Sequence, residues 1–208
     1  ADSLYVLGDL FEYWIGDEGL AQPFVQEVVR ALRELSGHGV PVYFIHGNRD
    51  FLLGARFAQA SGMHFLADPT VVNLYGTPTL VMHGDTLCSD DIEYQKFRAM
   101  VRDPAWQQVF LAKPLDERVR MAREVRGKSE QAKQAKDMII MDVAPATVDE
   151  TIRTHGYMRL IHGHTHRPAR HEHHIDGRTC ERWVLADWYE QGSYLLCDPS
   201  GCRAVPLN

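Results

Sequence analysis

Four short apolar runs in this chain stop abruptly at polar residues suited to metal or phosphate. Leu4-Tyr-Val-Leu7 runs into Gly8-Asp9, and Val40-Pro-Val-Tyr-Phe-Ile45 into His46-Gly-Asn-Arg49. Thr79-Leu-Val-Met82 ends at His83-Gly-Asp85, and Met158-Arg-Leu-Ile161 at His162-Gly-His-Thr-His166. A β-rich run ending in this way predicts a buried strand that delivers side chains to the edge of a sheet. Gly47 permits a sharp backbone turn, and Asn48 presents a neutral amide oxygen. Ligands of open α/β sheets collect at the carboxyl ends of strands. The pattern therefore predicts a metal site built on a sheet.

The order of elements supports this. Between the first two strands, Pro23 opens a helix with an apolar face of Phe24, Val25, Val28, Val29, Leu32 and Leu35, stopped at Gly37. Strand, helix, strand argues a parallel pair with a right-handed crossover. A second helix is expected near Ala55–Ser61, ended by Gly62, and a hairpin with Val71–Tyr75 and Thr79–Met82 flanking Gly76-Thr-Pro78. Residues 90–142 break the alternation. Pro104 and Pro114 sit at first-turn positions, and three helices are expected, with apolar faces at Trp106, Val109 and Phe110 and at Val119 and Val125. This reads as a helical insertion lying over the histidine-bearing edge. Strands resume at Met158–Ile161, Trp183–Ala186 and Tyr194–Cys197. At 208 residues, one domain spanning 1–208 has room for a substantial core.

Composition excludes several classes. No apolar run reaches the roughly 18 residues of a membrane span, and the first residues do not look like a signal peptide, so none is expected. Cys88, Cys180, Cys197 and Cys202 form no C-x-x-C pair and fit no zinc spacing, so reduced thiols of a cytosolic protein are expected. The net charge is −6, yet residues 96–136 hold eleven Lys/Arg against five Asp/Glu, leaving 11 − 23 = −12 elsewhere. That asymmetry fits one basic surface facing an anionic partner, or equally a solvated helical face. It carries no interleaved aromatic or glycine-rich reading motif, so nucleic acid is not the expected partner. No feature sets an oligomeric state.

Asp, Asn and His are hard or borderline ligands that suit Mn²⁺, Fe²⁺ or Zn²⁺. His164-Thr-His166 can aim two imidazoles at adjacent ions, and one carboxylate, Asp9, can bridge them. Two ions about 3.5–4 Å apart clamp the attacking and leaving oxygens of a phosphoryl displacement. Taken singly, Gly-Asp and Gly-Asn are ordinary turns, and Gly-His-Thr-His can be a surface cluster. Four such motifs at successive strand ends are a much more specific signal.

Gly8-Asp9, Gly47-Asn48, His83-Gly84 and Gly163-His164-Thr165-His166 resemble the successive blocks of the calcineurin-like metallophosphoesterases. The resemblance implies an α/β (α+β layered) fold: a two-sheet β-sandwich flanked by helices, here with a helical lid insertion. It implies two divalent metal ions, with Mn²⁺ expected. Asp9 would bridge them, Asn48, His83 and His164 would hold one, and His166 would help hold the other. Leu7-Gly-Asp-Leu-Phe-Glu-Tyr-Trp-Ile-Gly-Asp17, Gly47-Asn-Arg-Asp-Phe51, Met82-His-Gly-Asp85, Ile140-Met-Asp-Val143 and Ala186-Asp-Trp188 resemble, along nearly the whole chain, the UDP-2,3-diacylglucosamine diphosphatases of lipid A synthesis. That family cleaves a glycolipid nucleotide to UMP and 2,3-diacylglucosamine 1-phosphate. The implied location is cytoplasmic and peripheral on the inner membrane. The family pattern gives catalysis to Asn48, Arg49 and His164, and substrate contacts to Asn48, Arg49, Asp91, Tyr94, Ser129, Lys133, Lys136 and His164.

The family begins with Asp-x-His on its first strand, and no such motif precedes Asp9. A chain that joins the family one strand and one helix late is expected to be a fragment of the expressed protein. Without those residues, the ion shared with His166 would have Asp9 and His166 at most.

Two readings of individual residues sharpen the substrate. Many relatives carry His after the Asn, where it can protonate an alkoxide; Arg49 stays charged and instead holds a diphosphate bidentately. A phosphate leaving group, with second pKa about 6, needs no acid. Ser129, Lys133 and Lys136 fall at i, i+4 and i+7 on one helix face, which suits a sugar phosphate. Phe97, Met100, Trp106 and Phe110 would line an acyl slot or else pack between the helices. Two alternatives remain: another metallophosphoesterase such as a dinucleoside polyphosphate hydrolase, and a non-catalytic scaffold depleted of metal.

Overall fold

The computed structural model describes residues 1–135, 142–156, 159–189 and 192–207, with only the backbone of 128–135. The chain divides into two compact units, Ala1–Leu66 with Asp91–Met141, and Ala67–Asp90 with Asp142–Asn208. Mixed helices and sheets meet the α/β expectation.

The first unit holds a parallel sheet of β1 (Leu4–Val6), β2 (Val42–Phe44) and β3 (Met63–Phe65), in that order. The expected crossover helix α1 (Pro23–Gly37) and the shorter α2 (Ala55–Ser61) connect them, with Gly62 capping α2 in the left-handed region. Val25 and Leu32 of α1 are buried, with Val28, Val29 and Leu35 packed beside them. Phe24 departs from the expectation: at the margin of that stripe, it is 66% exposed. The aromatic loop after Asp9 turns into the core. Trp14 lies tilted against Phe11 (4.9 Å) and meets Phe57 edge-on (5.2 Å). Asp17 fixes that loop by accepting hydrogen bonds from Trp14 Nε1 and from the amides of Gly54, Arg56 and Phe57 at the start of α2.

Three helices follow in the same unit: α3 (Ile92–Arg102), α4 (Pro104–Leu111) and α5 (Leu115–Ala135). Asp91 and Asp103 cap the first two. Trp106 and Phe110 stack at 5.0 Å and join the core, as does Val119. Val109 and Val125, expected on those faces, are exposed. Of the residues weighed for an acyl slot, Trp106 and Phe110 therefore serve the core, while Met100 is exposed and Phe97 half-buried. Arg118 is buried in α5, bonded to the Ile15 carbonyl (2.6 Å) and to Glu18 (2.7 Å).

The second unit is built on a five-stranded sheet ordered β4-β5-β6-β8-β7: β4 (Thr70–Leu74), β5 (Thr77–Met82), β6 (Arg159–His162), β7 (Ala169–Ile175) and β8 (Arg178–Val184). β4 and β5 form the expected hairpin, but its turn is Tyr75-Gly76, and Pro78 lies inside β5. Pro78 is tolerated there because pairing with β6 begins one residue later, at Thr79. Helix α6 (Pro145–His155) buries Val148 and Ile152 against Leu80, Met82 and Leu160. β9 (Ser193–Asp198) and β10 (Gly201–Pro206) form a separate hairpin. Among the described residues no helix is long and apolar enough to cross a membrane.

Candidate metal and phosphate site

In the first unit the parallel register sets Val6 opposite Phe44, so Gly8-Asp9 and Gly47-Asn48-Arg49 leave the same sheet edge. Asp50, fully buried, ties the two loops together: its Oδ1 accepts from the Gly47 amide (2.9 Å) and its Oδ2 from the Leu10 amide (2.7 Å). The approach is so close that a Cβ on Gly47 would sit 2.2 Å from Asp9 Oδ1 and 2.4 Å from Asp9 N. Only glycine fits there. Arg49 donates its amide to Asp9 Oδ1 (2.9 Å), and its Nε lies 3.5 Å from Asp9 Oδ2. Its Nη1 donates to both oxygens of Glu12 at 3.0 Å. From α3, Arg102 donates to the carbonyls of His46 (3.0 Å) and Gly47 (2.9 Å). From α5, Arg126 bonds the Glu12 carbonyl (3.0 Å) and carboxylate (2.5 Å). Burial holds the His46 imidazole below its usual pKa, so its neutral ring donates to the Leu53 carbonyl.

In the second unit β5, β6 and β8 run parallel, with Met82 opposite His162 and His162 opposite Val184. Gly163 donates to the His83 carbonyl (2.9 Å) and Leu185 to that of His162 (2.8 Å). His83, Gly163–His166 and Leu185–Asp187 therefore share one edge. His83 is 1% exposed, and its Nε2 stands 3.2 Å from His164 Nδ1. His166 Nδ1 faces Asp187 Oδ2 at 3.3 Å. Beneath them His162 is neutral, its pKa pushed down to about 3 by burial and by Arg182, which donates to its Nε2 (3.1 Å). Asp142 pairs with Arg167; burial opposes its ionisation, but the Val143 amide and Arg167 outweigh it and hold the carboxyl below its usual range.

Backbone conformation singles out the same residues. Asp9 (φ 56°), Tyr75 (52°), His164 (67°), His166 (55°) and Asp176 (51°) are the described non-glycine residues at positive φ. Tyr75-Gly76 and Asp176-Gly177 are two-residue hairpin turns in which both positions require positive φ. No hairpin asks this of Asp9, His164 or His166. Strain at ordinary side chains, held by a surrounding network, clusters at ligand sites.

The donors present fit a divalent cation. His83 Nε2 and His164 Nδ1, 3.2 Å apart, are both nitrogens that can give a lone pair to a cation. A carboxylate on the other nitrogen of a ligating histidine is the usual outer support of such a site, and Asp187 stands in that relation to His166.

Of the residues singled out by sequence, the structure brings Asp9 and Arg49 together in one unit, with Asn48 on the same loop. It brings His83 and His164 together in the other, with His166 two residues on. Asp91 caps α3 through the Tyr94 amide. Ser129 and Lys133 lie on the backbone of α5 as expected, and Lys136 lies outside the described residues. The sequence reading gave no role to Asp50, Glu12, Arg102, Arg126 or Asp187. Asp50, Glu12 and Asp187 stand inside quoted motifs, but Leu10, Arg126 and His166, which they meet, are distant in sequence.

The profile of the calcineurin-like phosphoesterase family matches residues 1–168. This chain belongs to that family. Among calcineurin-like phosphoesterases it is similar to the UDP-2,3-diacylglucosamine hydrolase of Xanthomonas campestris, 53% identical across all of this chain and 86% of the relative. The enzymes of the same name from Stenotrophomonas maltophilia (52%; 97% of this chain, 84% of the relative) and Aromatoleum aromaticum (51%; 96% and 81%) are similar as well. An archaeal phosphodiesterase of known structure superposes with a TM-score of 0.47 at 12% identity, covering 100% of this chain and 84% of that one. Family membership implies the use of divalent metal ions.

Proposed function

We propose that this chain hydrolyses the diphosphate of UDP-2,3-diacylglucosamine to UMP and 2,3-diacylglucosamine 1-phosphate, using Mn²⁺, at the cytoplasmic face of the inner membrane. The observation that carries the substrate is identity of about 52% along essentially the whole chain to hydrolases named for it. Arg49 supports the bond chosen. It lies beside Asp9, is always cationic and presents a planar fork to a diphosphate, so it stabilises charge and donates no proton.

Asp9, Asn48, His83, His164 and His166 are the residues assigned to metal. Divalent ions held there would supply positive charge to the phosphoryl oxygens. Asp50 keeps the Asp9 and Asn48 loops in register, and Asp187 orients the His166 ring. Ser129, Lys133 and Lys136 are assigned to the sugar phosphate, and Asp91 and Tyr94 to further substrate contacts. Peripheral attachment to the membrane follows from an acylated substrate.

The test uses the full-length enzyme with the glycolipid and with a small activated phosphodiester. Metal removal by chelator should abolish UMP release, and Mn²⁺ should restore it. Lys133→Ala/Lys136→Ala should lower kcat/KM on the glycolipid about tenfold or more, the equivalent of about 1.4 kcal/mol, and spare the small diester. Undiminished turnover after thorough metal removal overturns the mechanism. Equal losses on both substrates overturn the assignment of the lysines.

A further inference from the structure

Cys197 and Cys202 stand directly opposite one another in the β9–β10 hairpin, with Sγ atoms 2.8 Å apart. Four residues separate them in sequence, and the pair closing the turn, Asp198 and Gly201, is the next rung. Opposed residues of an antiparallel pair have Cα atoms about 4.5–5.5 Å apart, inside the 4.4–6.8 Å span of disulfides. Both sulfurs are half-buried and so reachable, whereas Cys88 and Cys180 are buried.

We infer that Cys197 and Cys202 form a reversible redox pair that a low-molecular-weight disulfide such as glutathione disulfide converts into a cross-strand disulfide. This rests on the hairpin alone and is independent of the proposed phosphoesterase activity.

The chemistry balances by two exchanges. The Cys202 thiolate attacks one sulfur of the small disulfide, forming a mixed disulfide and releasing one thiolate. The Cys197 thiolate then attacks Cys202 Sγ, closing the bond across the strands and releasing the second. The protein loses two protons and two electrons, and the small disulfide gains them to become two thiols. The surroundings set the order of attack. The hydrogen bond from Cys197 pulls the Cys202 thiol below its usual pKa, with the Arg159 guanidinium helping, while the same bond holds the proton on Cys197. A partly exposed thiol whose pKa is held down is the one that reacts as thiolate. The two exchanges need little backbone movement, because the ladder already holds the partners together.

The experiment uses the whole chain, incubated with glutathione disulfide, then unfolded and alkylated for mass spectrometry. Of the four thiols, two should escape alkylation, and peptide mapping should join Cys197 to Cys202 with no retained glutathione. Dithiothreitol should restore alkylation of all four. Cys197→Ser should trap a stable glutathione adduct on Cys202, and Cys202→Ser should react more slowly. Complete alkylation after treatment, persistent glutathione on the unmodified chain, or a bond to Cys88 or Cys180 would each overturn the proposal.

Discussion

Arg49 gives one nitrogen, Nη1, to both carboxylate oxygens of Glu12 at 3.0 Å each, while its Nε faces Asp9. Glu12 also receives Arg126 from α5, so one exposed carboxylate fixes two cations beside the Asp9 loop. A diphosphate that engages Arg49 has to take it over from Glu12, and the guanidinium meets it already oriented. Charge-assisted hydrogen bonds are worth about 1.5–3 kcal/mol each, so Arg49→Ala should lower kcat/KM by about a hundredfold or more. Arg49→Lys keeps the charge without the fork and should fall between. If the lysine variant matches the unmodified enzyme, a point charge suffices and bidentate holding is wrong.

Asp50 is the structural counterpart of these ligands. Its replacement by Ala leaves the buried amide of Gly47 and the partly buried amide of Leu10 without their acceptor. At about 1–3 kcal/mol for each orphaned donor, Asp50→Ala should cost about 2–5 kcal/mol in urea unfolding. Asp50→Asn keeps one acceptor oxygen and should cost less. A loss below about 0.5 kcal/mol for the alanine variant would mean that water replaces the carboxylate.

Asp187 should matter to metal and little to folding. With 41% of its side chain exposed, it contributes through the orientation of His166. Supports of this kind alter metal affinity by about 10–100-fold. Titration of Asp187→Asn with Mn²⁺ by calorimetry should give an affinity weaker by that factor, with an unchanged unfolding midpoint of the apo form. Unaltered affinity would remove Asp187 from the site.

Glu181 sets a pH dependence. Burial raises its pKa, but hydrogen bonds from Arg159 (2.6 Å) and Arg170 (3.0 Å) outweigh burial and hold it below the ordinary value of 4.5. A carboxyl with a depressed folded pKa stabilises the fold above its unfolded pKa, and that contribution disappears as pH falls through the folded value. Glu181→Gln should therefore be less stable than the unmodified chain near pH 7, by on the order of 1 kcal/mol at this partly exposed site. The difference should begin to shrink as pH falls below 4.5 and be gone once pH has passed the lower folded value. A difference that stays constant down to pH 3 would contradict the ion pair.

The strand ends were legible in the sequence because each joins an apolar run to a polar stop, and Pro23, Pro104, Gly37 and Gly62 mark their helices by backbone chemistry alone. β7 drew no assignment because, as an edge strand, it carries Arg170, His171, Glu172 and His174 with little apolar alternation. Helix α6 was also passed over, although Pro145 with Val148 and Ile152 at i and i+4 would have marked it. The partners of Asp50, Glu12 and Asp187 lie up to 114 residues away, and no local pattern encodes a pairing of that range. The Cys197–Cys202 pair was hidden for a different reason: C-x4-C fits no metal spacing, and only the hairpin register sets the sulfurs opposite each other.

The left-handed backbone at Asp9, His164 and His166 has an evolutionary consequence. Each costs about 1 kcal/mol that a glycine would avoid, so the most stable form of this chain is not its most useful one. Selection for heat tolerance alone would accept glycine at all three positions and remove the side chains proposed to hold metal.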